Sequence, residues 1–180
     1  MFDPVLTVAT ADDAALLAGL HWRSWLAAYR GLLPERYLDE LASGELVEKW
    51  QQRMGAAAGE YRVCIVRVGE VAAGFACLQP GFAPQQGVYL DNLHVLPVWQ
   101  RRGLGKQLLA WAAAEVVAGW PGQPLLLNVL DGNRPAREIY RRLGGIETKL
   151  PAERIAGDVC VAVSQVTWQD VPALLARLQS

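Results

Sequence analysis

Apolar residues recur along this chain with two periods, one helical and one alternating, and their order predicts the elements. Val5 to Ala9 is a short, β-branched run that reads as an opening strand. Asp12 or Asp13 then caps a helix with apolar positions Ala15, Leu16, Leu17, Leu20, Trp22, Trp25, Leu26 and Tyr29, and Gly31 ends it. Pro34 to Trp50 predicts a second helix, with Leu38, Leu41, Leu46 and Trp50 at near-helical spacing. Arg62 to Val68 and Val71 to Gln79 read as hairpin strands joined at Gly69-Glu70. A loop rich in Pro, Gly and Gln (Pro80 to Gly87) leads to a further strand, Val88 to Val95.

The second half continues with a helix over Gly103 to Gly119, then a strand over Pro124 to Leu130. The unbroken apolar run Leu125 to Leu127 suits a central, doubly covered strand. Asp131 or Asn133 caps a helix over Pro135 to Leu143, which stops at Gly144-Gly145. Two strands, Ile146 to Leu150 and Val159 to Trp168, precede a terminal helix from Val171 to Leu178. A hairpin together with β-α-β units predicts a mixed α/β fold with helices flanking one sheet, in a single domain spanning residues 1–180.

Composition narrows the function. Hydrophobic residues make up 52% and charged residues 19%, and the formal net charge is -1, an ordinary globular balance with no polyelectrolyte tail. The one basic cluster, Arg101-Arg102 with Lys106, suits a few phosphates better than a nucleic-acid duplex, so no nucleic-acid partner is expected. Cys64, Cys77 and Cys160 are widely spaced and form no CxxC pair, so neither a zinc site nor a disulfide framework is expected. Val71 to Leu90 carries no charge, but Pro80, Pro84, Gly74, Gly81 and Gly87 exclude it as a membrane helix. Met1 to Thr10 has no secretory pattern, and the expectation is a cytoplasmic protein, monomer or homodimer, without a membrane partner.

The densest chemical signal is Gln100-Arg101-Arg102-Gly103-Leu104-Gly105-Lys106, set between a predicted strand and a predicted helix. Glycines there let backbone amides approach a ligand, and the helix start adds its positive dipole end, so phosphate is the natural occupant. A P-loop needs glycine at position 100, which is Gln100, and a hydroxyl at 107, which is Gln107. A dinucleotide fingerprint needs a third glycine where Leu108 stands. What remains, Q-x-x-G-x-G, resembles the phosphate loop of the GNAT superfamily of acyl-CoA N-acyltransferases. A second stretch, Asn133-x-x-Ala136-x-x-x-Tyr140-x-x-x-Gly144, is similar to that superfamily's N-x-x-A-x-x-x-Y-x-x-x-G pattern, in the same order along the chain. Alone, a tyrosine near a helix end is a packing residue and Gly144 a C-cap; the two motifs together add the chemistry. One departure is Gly145, where an aromatic residue often follows the glycine, which questions the packing of the next strand.

The resemblance implies a central, mixed, mostly antiparallel twisted sheet flanked by helices, and an acetyl-CoA-dependent N-acetyltransferase acting on a primary amine by direct transfer, with no metal. It implies that backbone amides from Arg101 to Lys106, with Leu104 between the glycines, cradle the coenzyme A pyrophosphate, and that pantetheine lies along Leu93-His94-Val95 as an added strand would. Asn133 starts the helix, Ala136 leaves room for the donor, and Tyr140 is implied as the acid that protonates the departing thiolate. Strand alternation sets Tyr89, Asp91, Leu93 and Val95 on one face and Leu90, Asn92 and His94 on the other. Many relatives carry a glutamate where Tyr89 stands, so Asp91, on the face of Tyr89, becomes the expected amine-binding residue or a base acting through water. His21, Trp22, Trp25, Tyr29 and the link Gly31-Leu32-Leu33-Pro34 resemble a stretch seen in many bacterial members, and Trp22, Trp25, Tyr29, Tyr89 and Asp91 are expected at the acceptor pocket. A longer acyl donor, a noncatalytic acyl-CoA sensor and an interaction protein that keeps only the fold remain alternatives.

Overall fold

The computed structural model describes residues 3–31, 33–156 and 159–180, so Leu32 of the expected acceptor link lies outside the described residues. The chain forms β1 (Pro4–Val8), α1 (Ala14–Tyr29), a π-helical turn (Tyr37–Leu41), α2 (Ala42–Met54), β2 (Arg62–Val68), β3 (Val71–Gln79) and β4 (Val88–Val95). It continues with α3 (Leu104–Gly119), β5 (Leu125–Leu130), α4 (Arg134–Arg142), β6 (Ile146–Lys149), β7 (Glu153–Ala156), β8 (Val159–Val161), β9 (Val163–Trp168) and α5 (Val171–Gln179). Seven strands make one sheet in the order β1-β2-β3-β4-β5-β9-β6, and β7 and β8 form a separate two-stranded ribbon. Every neighbouring pair in the sheet is antiparallel except β4 and β5, which are parallel.

Three elements differ from the sequence pattern. The second helix begins as the π turn, closed by Ala42 N–H donating to Tyr37 O, and becomes regular only at Ala42. The expected strand Val159 to Trp168 breaks after Val161, where the chain leaves the ribbon and enters the sheet. Its ribbon partner β7 carries no apolar run to mark it.

Two apolar layers hold the sheet. On one face, Val88, Leu90, Leu125, Leu127 and Val129 pack with Leu104, Leu108, Leu109, Ala112 and Val116 of α3 and Leu174 of α5, and α4 rests on the same layer through Ala136, Tyr140 and Leu143. On the other, Leu17, Leu20, Leu46 and Trp50 of α1 and α2 meet Val63, Ile65, Phe75 and Cys77. The glycine at 145 has a packing reason: a Cβ there would stand 2.4 Å from Val166 Cγ1 and 3.0 Å from Trp168, whose ring fills that space from β9. β6 still pairs with β9 in regular register.

The register of β4 against β3 slips between Cys77 and Leu78: Leu78 faces Leu90, Cys77 faces Asn92, and Asp91 is the extra residue of a bulge. The bulge inverts the alternation that the sequence predicts. Leu93 and Val95 rejoin the α3 layer with Leu90, whereas Asn92 and His94 turn to α1 and α2.

That second face contains a polar core. His21 is fully buried, accepts at Nδ1 from Trp50 Nε1 at 3.2 Å, and has its ring centroid 4.8 Å from that of His94. Ser24 Oγ lies 3.0 Å from His94 Nδ1. Burial lowers the pKa of His94 to about 4, against a partial opposing effect of Asp91. Burial also holds His21 well below its ordinary value, helped by His94, Lys49 and Arg53. Both rings are therefore neutral in the native protein at pH 7, whereas the unfolded chain protonates its histidines near 6.5. Below that pH the unfolded state binds protons that the native state refuses, so stability falls with pH by about 1.4 kcal/mol per pH unit for each imidazole. The urea midpoint is expected to drop between pH 7 and pH 5, and His94→Gln to flatten the drop; a flat wild-type profile contradicts neutral burial.

Candidate active site

β4 and β5 pair only at Val88–Leu125 and Tyr89–Leu126, at their starts. Beyond these pairs β4 keeps β3 on one edge, through Leu93–Ala76, His94–Phe75 and Val95–Gly74, while its edge toward β5 has no further pairing. The two strands thus open a cleft with exposed backbone donors and acceptors along Leu93 to Val95, the pattern that accepts an added extended chain.

Above the cleft β4 turns through a 3-10 turn (Pro97–Trp99) into the glycine loop. Gln100 Nε2 donates to Val95 O at 3.0 Å, so this side chain ties the loop to the strand end. Arg101 has φ 60° and Gly103 has φ 80°, both left-handed, and Gly103 starts α3 without any side-chain cap. The first amides of α3, at Leu104, Gly105 and Lys106, therefore keep their donors free of intrahelical partners. Nothing lies within 4 Å of a Cβ built on Gly103, and a Cβ on Gly105 would meet only Val95 Cγ2, at 3.9 Å. Arg101, Arg102 and Lys106 are exposed around this opening, and Arg102 also lies over the Trp99 ring at 4.8 Å. The loop thus presents free amides beside three exposed cationic side chains, an arrangement suited to an anion.

On the other rim stands α4. Asn133 caps it, its Oδ1 accepting from Ala136 N at 3.4 Å. Arg137 anchors the helix by donating to Asp131 O at 2.8 Å and to Glu147, and Asp131 in turn accepts from Ser164 at 2.6 Å. Tyr140 packs edge-on against Trp168, centroids 5.6 Å apart, and Trp168 Nε1 donates to Leu143 O. Burial raises the Tyr140 pKa, and the nearby Tyr29 phenol raises it further, so the hydroxyl keeps its proton near neutral pH. Cys64 and Cys77 are poor nucleophiles, because burial pushes both thiols up to about 12.

The expected acceptor residues divide. Trp25 is half-buried between His21, Tyr29 and Tyr37, at centroid distances of 4.9, 5.6 and 6.4 Å. Trp22 is a core residue, its Nε1 donating to Leu38 O at 3.0 Å. Tyr89 is buried and stacks on Phe82, centroids 4.5 Å apart, so its ring is a wall rather than an open contact. Asp91, the expected amine-binding residue or base, is held in an ion pair: Arg53 Nη1 lies 2.5 Å from its Oδ2 and 3.0 Å from Asn92 Oδ1, with both charged side chains mostly buried. Sequence reasoning missed Ser24, Arg53, Asn128 and Glu153. Only Ser24 had a local signal, one helical turn from His21.

Among the described residues no helix is long and apolar enough to cross a membrane, and no group of three or more His, Cys, Asp or Glu is placed to hold a metal ion. Comparison with curated proteins gives no match. The PaiA N-acetyltransferase of Thermoplasma acidophilum, solved with coenzyme A, has a TM-score of 0.70 at 16% identity, covering 92% of this chain and 99% of its own. A spermidine N-acetyltransferase chimera based on the Vibrio cholerae protein has a TM-score of 0.71 at 17% identity, covering 95% and 98%. The Salmonella typhimurium protein yncA, solved with acetyl-CoA, has a TM-score of 0.66 at 18% identity, covering 93% and 94%. These likenesses establish the fold. The sequence pattern of the Acetyltransferase (GNAT) family matches residues 21–145, so the chain belongs to that family of acyltransferases.

Proposed function

We propose that this protein transfers the acetyl group of acetyl-CoA directly to a primary amine of a small molecule or peptide. The observation that carries the reading is that β4 parts from β5 beyond Tyr89–Leu126 and then runs into the uncapped start of α3, with Tyr140 of α4 packed on the same apolar layer. Coenzyme A in the solved Thermoplasma acidophilum structure and acetyl-CoA in the Salmonella typhimurium structure support the choice of donor.

In this reading the amides of Arg101 to Lys106 hold the pyrophosphate, with Arg101, Arg102 and Lys106 adding charge. The open edge at Leu93, His94 and Val95 takes the pantetheine amides and aims the thioester carbonyl at a backbone donor. Bound acetyl-CoA supplies the activated acetyl group. Tyr140, kept protonated by burial, donates to the departing sulfur. Asn133 and Ala136 fix and clear the α4 rim, and Trp25 and Tyr29 wall the acceptor side. The high pKa values of the two buried thiols favour direct transfer over an acyl-enzyme.

Acetyl-CoA at about one hundred times Kd is expected to stabilise the fold by about 2.7 kcal/mol, a rise in Tm of about 5 to 10 °C for a chain of this size. Free CoA should act nearly as well, and a screen of amines that follows thiol release then identifies the acceptor. Gly103→Val forces a β-branched side chain into the left-handed φ of 80° and into the phosphate opening, so the folded variant is expected to lose the shift. No shift for the wild type at millimolar ligand sinks the donor assignment, and tight CoA binding by a folded Gly103→Val protein moves the phosphates elsewhere.

Tyr140→Phe preserves the ring contact with Trp168 and removes only the proton donor. Donor binding should stay nearly unchanged while the single-turnover rate falls about 10²- to 10⁴-fold. A normal single-turnover rate would reassign the acid role to water and leave Tyr140 as packing.

A further inference from the structure

The carboxamide of Asn128 has an unusual environment. Asn128 lies on β5 just past the last β4–β5 pair, with Leu125, Leu127 and Val129 turned into the α3 layer, so its side chain belongs to the opposite face of the cleft. Its Oδ1 is buried and has no hydrogen-bond partner among the described residues. Its Nδ2 donates to Glu153 Oε1 of the β7 ribbon at 3.4 Å, a long contact. The amide orientation is fixed by chemistry, since the reverse would set two acceptor oxygens against each other.

Glu153 differs from the other carboxylate of this face. Asp91 is held by Arg53, whereas Glu153 forms no ion pair among the described residues and its side chain is exposed. Its contact with Asn128, two residues past the last β4–β5 pair, sets Glu153 beside the same opening. An exposed carboxylate whose printed donor is the Asn128 amide, and the carbonyl oxygen of that amide, which has no donor among the described residues, are joined through one side chain. An alkylammonium group offers three N–H donors and a positive charge, and so satisfies both at once. Asn χ2 is a soft torsion, so a small rotation brings Oδ1 into the opening while Glu153 follows.

We propose that Asn128 and Glu153 form the subsite that receives the acceptor's ammonium group, on the cleft face opposite Tyr140. The inference rests on the acetyltransfer reading for the identity of the acceptor, but the binding itself is testable alone. The probe is ethylamine, titrated into 15N-labelled protein with and without CoA, with ethanol as the neutral control of similar size. The side-chain amide signal of Asn128, assigned by its loss in Asn128→Asp, is expected to move with ethylamine and not with ethanol. Glu153→Gln, a change at an exposed position, should raise the ethylamine concentration needed by about tenfold to a hundredfold, the scale of one charge-assisted hydrogen bond. Its response to CoA should remain that of the wild type, which a general structural defect would not allow. An Asn128 signal that ignores ethylamine or follows ethanol equally, or a Glu153→Gln protein that titrates like the wild type, overturns the subsite. A wild-type protein whose Tm ignores CoA counts against the acetyltransfer reading instead, and the ethylamine arm still decides the subsite.

Discussion

β4 and β5 start side by side, exchange hydrogen bonds at two pairs of residues, and then separate. Parallel neighbours buried in the middle of a sheet normally continue pairing, since each unpaired buried backbone group costs about 1–3 kcal/mol. Here the edge of β4 toward β5 stays unpaired beyond Tyr89, and its backbone groups can accept an added extended chain. Everything around it follows from keeping the strands apart. β3 grips the other edge of β4 up to Val95, and Gly74 permits the closest approach, with a Cβ there standing only 2.3 Å from His94 O. β9 grips β5 along its whole length. Each strand is held from outside, so the cleft neither closes nor unravels.

The bulge at Asp91 is the second determinant, because it decides which side chains see which face. Without it, His94 would turn into the apolar layer beneath α3. With it, Leu93 and Val95 fill that layer, and the polar residues Asn92 and His94 meet His21, Ser24 and Arg53. The sheet is dry on the α3 face and hydrogen-bonded on the α1 face.

Legibility in the sequence follows the same division. Elements marked by periodic apolar runs, such as α1, α3, β2, β3 and β5, appear close to their expected limits, and the glycine loop and the Asn133 cap carry local spacing that a reader can recognise. The bulge carries no such mark: Tyr89 to Val95 alternates on paper, and only the pairing of Leu78 with Leu90 and Cys77 with Asn92 reveals the extra residue. Consequently Asn92 and His94 share the face of Tyr89 and Asp91, from which the alternation had separated them. Arg53 and Asp91 lie far apart in sequence, as do Asn128 and Glu153, and side chains brought together by topology leave no local spacing to detect. The ribbon strand β7 is polar, short and outside the core, so the hydrophobic pattern cannot register it.

The Arg53–Asp91 pair shows why such a nonlocal contact is kept. Burying an ion pair seldom adds net stability over apolar residues of the same volume, because desolvation of both charges offsets their attraction. Its value here is geometric. A bulge aims two successive side chains, Asp91 and Asn92, toward the same helix, and a carboxylate left there unpaired would cost several kcal/mol. Arg53 meets both with one nitrogen and lies 5.4 Å from the Trp50 ring and 5.1 Å from the Tyr61 ring, so the guanidinium is fixed from several sides. Trp50 in turn holds His21, and His21 lies against His94. The clamp thus ties α2 to β4 along the stretch where β4 has parted from β5.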